Sequence, residues 1–164
     1  MKKIAMFLMV ILLSGCASKV STIFQKDTTY VKLTQYTKRG QIIKSLETKA
    51  LINATYINPI LDNNKTKNNE IFIIGVYNST DYKGYEKGGI FNPDYHLTMN
   101  GLNFTKAIKA DKVKLNLPNY PFYNKWMKYY EVYFPKVNSN TLNIKYSSKE
   151  GSVILSINKN VNKN

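Results

Sequence analysis

Thr141-Leu142-Asn143-Ile144-Lys145-Tyr146 is the stretch that decides the fold. Leu142, Ile144 and Tyr146 alternate with Asn143 and Lys145, so an extended backbone puts the apolar side chains on one face and the polar ones on the other. A helix would scatter the same residues around its circumference. Moving outward, similar half-buried strands are expected over residues 153–157, 129–134, 95–99, 50–57 and 30–36. One more is expected over 113–117, where Val113, Leu115 and Leu117 alternate with Lys112, Lys114 and Asn116. Residues 71–76 are apolar on both faces and belong in the middle of the structure. Phe104 and Ile108 fit one face of a short helix, or a strand. Turn signals stand at Arg39-Gly40, Asn58-Pro59, Gly88-Gly89, Asn92-Pro93, Asn100-Gly101 and residues 147–151. About eight short strands separated by turns predict an all-β chain, a single antiparallel β-sandwich of immunoglobulin-like or transthyretin-like form.

Composition narrows the chemistry. The chain has 164 residues, 43% of them hydrophobic and 13% aromatic, which excludes intrinsic disorder. Its 24 Lys plus Arg against 10 Asp plus Glu give a formal charge of +14. One Cys and one His rule out an internal disulfide and a structural zinc site of ordinary composition. Arg39 is the only arginine, and nucleic-acid readers lean on Arg for bidentate contacts, so no nucleic-acid partner is expected. A lysine-rich surface suits anionic head groups or wall polymers, and it is equally the composition that an A/T-rich genome favours.

The N-terminus reads as a targeting segment. Lys2 and Lys3 precede an unbroken apolar run over residues 4–13, an h-region length and well short of the roughly 20 residues that span a bilayer. Leu13-Ser14-Gly15-Cys16 then resembles the lipobox of bacterial lipoprotein precursors. The resemblance implies lipid attachment to the Cys16 thiol, cleavage just before it, and durable anchoring once two or three acyl chains are present. Residues 1–15 are thus expected to be a signal peptide, 16–27 a lipidated start and tether, and 28–164 the sandwich domain. Ala17 stands where an Asp would favour inner-membrane retention, which implies the outer membrane, facing the periplasm, in a source with two membranes.

Motifs of catalysis are missing. The sequence holds no Gly-x-Ser-x-Gly, Ser-x-x-Lys, phosphate-loop or His-Glu-x-x-His pattern, and no cofactor or metal is expected. His96 alternates with Tyr95 and Leu97, so it belongs with Thr98 and Asp94 on the solvent face of a strand. Residues 62–70 start like a calcium loop, but Lys67 replaces the turn glycine and Ile73 the bidentate Glu, leaving an exposed polar loop. Asn53, Asn64, Asn78 and Asn103 each begin an Asn-x-Ser/Thr triplet. Only Asn64 also has an acidic residue two positions earlier, so Asp62-Asn63-Asn64-Lys65-Thr66 resembles the extended acceptor pattern of some bacterial oligosaccharyltransferases.

The densest feature is aromatic: Tyr120, Phe122, Tyr123, Trp126, Tyr129, Tyr130, Tyr133 and Phe134. Exposed, such a cluster stacks on sugars or forms a partner hot spot; buried, it is sandwich core, the reading preferred here. Alternation places Tyr130, Val132 and Phe134 in the core and Tyr129, Glu131 and Tyr133 on a wetter face, with Tyr129 and Tyr133 the candidates for partner contact. The functional expectation is a lipid-anchored envelope module that binds or assembles without catalysis, its partner another envelope protein or a wall polymer. The alternatives are an envelope hydrolase using carboxylates such as Glu86, Asp94 and Glu131, and a fixed component of a secretion or envelope machine.

Overall fold

The computed structural model describes residues 28–61 and 63–160, so Leu13, Ser14, Gly15 and Cys16 lie outside the described residues. Nine strands make two antiparallel sheets packed as an all-β sandwich. The strands are β1 (Thr37–Lys44), β2 (Glu47–Tyr56), β3 (Asn69–Asn78), β4 (Tyr95–Met99), β5 (Leu102–Asn103), β6 (Lys106–Lys109), β7 (Lys128–Pro135), β8 (Thr141–Ser148) and β9 (Gly151–Asn158). One sheet runs β1-β2-β3-β7-β6 and the other β5-β4-β8-β9. A helix, α1 (Thr28–Gln35), leads into β1, and a single helical turn, α2 (Asn63–Thr66), precedes β3. Among the described residues no helix is long and apolar enough to cross a membrane.

The alternating runs fill the space between the sheets. Leu142, Ile144 and Tyr146 of β8 are fully buried against Phe72, Ile74, Tyr130, Val132 and Phe134. Tyr95 stacks on Tyr146 at 5.2 Å, and Phe72 meets Phe134 edge-on at 5.8 Å. Buried hydroxyls need partners, and the tyrosines find them at the end of β3 and on the loop that joins it to β4. Tyr146 Oη donates to Asn78 Oδ1 (2.9 Å) and Tyr130 Oη to the Gly88 carbonyl (2.9 Å). The same loop is held by Asp81, which accepts from Gly89 N (2.9 Å), Asn92 Nδ2 (3.2 Å) and Lys128 Nζ (2.7 Å).

The outer face of the five-stranded sheet carries a second apolar layer. Ile57, Ile71, Ile73 and Tyr129 are covered by Leu33 of α1 and by Leu117 and Met127 of the β6–β7 connection. Gly75 makes this possible at Tyr129. The two residues are register partners, and a Cβ on Gly75 would stand 2.5 Å from the Tyr129 ring, so the ring lies over bare backbone.

Several expectations are corrected here. Of residues 30–36, rich in β-branched and aromatic types, all but Tyr36 lie in α1, because burying Leu33 on the sheet outweighs weak local propensity. Residues 113–116 are turns, and Leu117 opens a short 3-10 helix, Leu117–Asn119. Asp111 Oδ1 accepts from Val113 N (2.9 Å) and Lys114 N (3.1 Å), Asn116 adopts φ 48°, and Leu117 packs inward while Val113 stays 90% exposed. Arg39-Gly40 is no turn but part of β1. A Cβ on Gly40 would meet Val153 Cγ2 at 2.6 Å, so the glycine lets β1 pass close to β9 of the other sheet. The true turn is Ser45-Leu46, with φ of 52° and 65° at residues that give no turn signal. Glu70, expected in an exposed loop, is fully buried, accepting from Tyr56 Oη (2.7 Å) and Lys159 Nζ (2.6 Å). Residues 106–109 around Ile108 resolve as strand β6.

Candidate functional site

The outer layer stops short. At the margin of this layer, Leu51 of β2 and Tyr77 of β3 are register partners, Leu51 only partly buried against the layer and Tyr77 outside it. Beside them the β6–β7 connection contributes Asn124, Trp126 and Met127, and together these five residues line an open groove of about 410 Å³. Trp126 is 72% exposed and Tyr77 40%. A smaller cleft of about 60 Å³ adjoins the groove through Leu51, Asn124 and Met127, and is completed by Arg39, Gly40, Asn53 and Phe122.

The wall between groove and cleft is built with some strain. Phe122 adopts φ 59°, an unfavourable backbone for an aromatic residue, yet its ring remains half exposed. Asn53 Nδ2 holds it there by donating to the Phe122 carbonyl (2.7 Å) and to Met127 Sδ (3.3 Å). The Arg39 guanidinium lies over the Phe122 ring at 5.5 Å, and the Lys125 ammonium over the Trp126 ring at 5.1 Å. Backbone strain held by surrounding contacts is a reason to look for function. The chain's single arginine and single tryptophan therefore border one continuous surface.

The sequence-derived candidates behave differently. Tyr129, expected to be accessible, is 3% exposed: its ring covers Gly75, its hydroxyl accepts from Asn124 N (2.8 Å), and burial pushes its phenol pKa up. Its role is to position the groove-lining loop from beneath. Tyr133 is half-buried and donates to Glu131, and burial together with that carboxylate pushes its pKa up to about 12. Tyr129 and Tyr133 thus form no exposed pair. Glu131 is engaged by Tyr133, Glu86 and Asp94 sit on loops, and none of the three lines the groove. His96 is exposed on β4 as expected, bordering a depression of about 270 Å³ with Phe91 and Phe104. Among the described residues no cluster of His, Cys, Asp and Glu suits a metal ion.

Asn64 on α2 and Asn103 on β5 are exposed, whereas Asn53 and Asn78 are buried and hydrogen-bonded, so burial removes two of the four acceptor triplets. A depression of about 580 Å³ beside β6 is larger than the groove, but its one carboxylate, Asp111, is spent on its own turn. Sequence reading missed Arg39 by assigning it to a turn, and missed Leu51 and Tyr77 because alternation gives which residues share a face of a strand, not which part of that face another segment covers. Uniqueness was the available signal, since Arg39 and Trp126 are each the only residue of their type.

An all-β, two-sheet sandwich with an open aromatic groove is the class that fold and site define. Comparison with protein families, curated proteins and solved structures finds no match.

Proposed function

We propose that this protein is a lipid-anchored, non-catalytic binding module of a bacterial cell envelope, and that the Trp126 groove is its contact surface. The observation that carries the reading is the meeting of Trp126, Tyr77, Phe122 and Arg39 on one open surface. Trp, Tyr and Arg are the residue types that dominate binding energy at interfaces. Cys16 in Leu13-Ser14-Gly15-Cys16 supports the anchor, in an outer membrane where the source has two. The chain from Cys16 to Thr28 reaches at most roughly 40 Å when extended. Exposure of Asn64 leaves it available as a glycan acceptor in a host with the matching transferase.

Two experiments test this. Cys16→Ala should abolish incorporation of labelled palmitate, and wild-type labelling in that variant contradicts the anchor. A photoreactive residue at Tyr77 should give a defined crosslinked partner in native cells, lost in Trp126→Ala, with no such adduct from position 152 on β9. Adducts that ignore Trp126 contradict the groove.

A further inference from the structure

We infer that the groove takes an acidic, apolar peptide segment of a partner protein, seating apolar side chains against Trp126 and Tyr77 and placing a carboxylate on Arg39. This rests on the groove being the contact surface, and it adds the chemistry of the occupant. Polarity is the first argument. Four of the five groove residues, Leu51, Tyr77, Trp126 and Met127, present mainly apolar surface, and the polar groups are the Asn124 amide, the Tyr77 hydroxyl and the Trp126 indole N–H. A sugar ring carries a hydroxyl on nearly every carbon and needs several convergent donors and acceptors. The nearest further amide, Asn53 Nδ2, already donates to Phe122 and Met127. Leu and Met are poor platforms for a sugar, and good walls for an aliphatic or aromatic side chain.

Charge is the second argument. Arg39 lines the cleft with its guanidinium over the Phe122 ring, the Lys125 ammonium lies over the Trp126 ring, and neither has a carboxylate within ion-pair distance among the described residues. Glu47, on the same strand as Leu51, is engaged by Lys49 at 2.5 Å. No acidic residue lines either the groove or the cleft. The surface thus joins apolar walls to an unpaired guanidinium in the cleft and an ammonium on the Trp126 ring, the complement of a segment that carries apolar residues beside Asp or Glu. Packing on Phe122 aims the guanidinium and leaves its planar donors for a carboxylate.

Trp126 is the only tryptophan, so the emission of the full lipidated chain in detergent reports this site alone. The probes are two mixtures of acetylated, amidated pentapeptides. Each has three positions drawn from Leu, Ile, Met and Phe, and two that are Asp in one mixture and Lys in the other. A third probe is the N-acetylglucosamine tetramer, and detergent with peptide alone is the blank. The Asp mixture should shift Trp126 emission to shorter wavelength at a concentration about tenfold below that of the Lys mixture. Arg39→Gln should close most of that gap, and Lys125→Gln serves the same purpose should the Arg39 variant lose its wild-type circular dichroism. Equal response to both mixtures, or response to the sugar alone, overturns the acidic-peptide assignment and leaves the groove as the contact surface. No response to any probe overturns both.

Discussion

The outer face of the five-stranded sheet is covered at one end and open at the other, although the strands beneath are the same. At the covered end, Ile57, Ile71, Ile73 and Tyr129 are almost fully buried beneath Leu33, Leu117 and Met127. At the open end, Leu51 and Tyr77 face a groove whose far wall is Trp126. Covering the second half would have removed more apolar area from water at about 25 cal/mol per Å². Leaving exposed a Trp, a Tyr and a Phe held at positive φ is therefore a loss of stability that the rest of the fold offsets. The difference separates residues that hold the sandwich together from residues that are free to bind, and each prediction below tests that separation.

The largest effects belong to the buried side. Phe134→Ala should cost about 3–5 kcal/mol, read as a lowered melting temperature, because the ring is fully enclosed between the sheets. Glu70→Ala should cost about 2–4 kcal/mol, since it removes a fully buried carboxylate that is the partner of the buried Tyr56 hydroxyl and of the half-buried Lys159 ammonium. Tyr129→Ala should cost about 3 kcal/mol by denaturant titration, uncovering Gly75 and freeing the loop above it. A Tyr129 variant as stable as wild type would break the distinction at its boundary, since that residue supports the groove without lining it.

A smaller effect depends on pH. Burial raises the Asp81 carboxyl pKa, but hydrogen bonds from Lys128, the Gly89 amide and Asn92 outweigh it, and the net value is lowered. A carboxylate that ionises more readily in the folded state adds stability above its unfolded pKa of about 3.9. That stability is lost as pH falls through the lower folded value. Asp81→Asn should cost about 1–2 kcal/mol near neutral pH, with the gap to wild type closing below about pH 4. A gap that widens in acid would reverse the sign of the argument.

How much was legible in the sequence follows the same divide. Strands with one wet face, such as 142–146 and 95–99, announced themselves by alternation, and Asn100-Gly101 announced its hairpin by residues that tolerate φ of 49° and 81°. The inward members of β7, Tyr130, Val132 and Phe134, followed from the same rule. Its outward members did not, because Glu131 marked as wet a face that Leu117 and Met127 of the β6–β7 connection and Leu33 of α1 cover. The period of 113–117 misled for a related reason: an Asx turn at Asp111 and a left-handed Asn116 fold apolar residues onto the sheet without forming a strand. The groove stayed hidden because it joins β1, β2, β3 and the β6–β7 connection, and side chains so far apart in sequence meet only after folding.

The smallest expected change in stability accompanies the largest expected change in binding. Trp126→Ala should alter stability by no more than about 0.5 kcal/mol, since the indole is mostly solvated and outside both buried clusters. The measurement that tests the account most directly is therefore the yield of the crosslinked adduct from a photoreactive residue at Tyr77, in Trp126→Ala cells against wild type, with the melting temperature of the same purified variant. The account predicts a variant that melts with wild type and yields no adduct. A variant that melts as early as Phe134→Ala, or that melts normally and keeps the adduct, would contradict it.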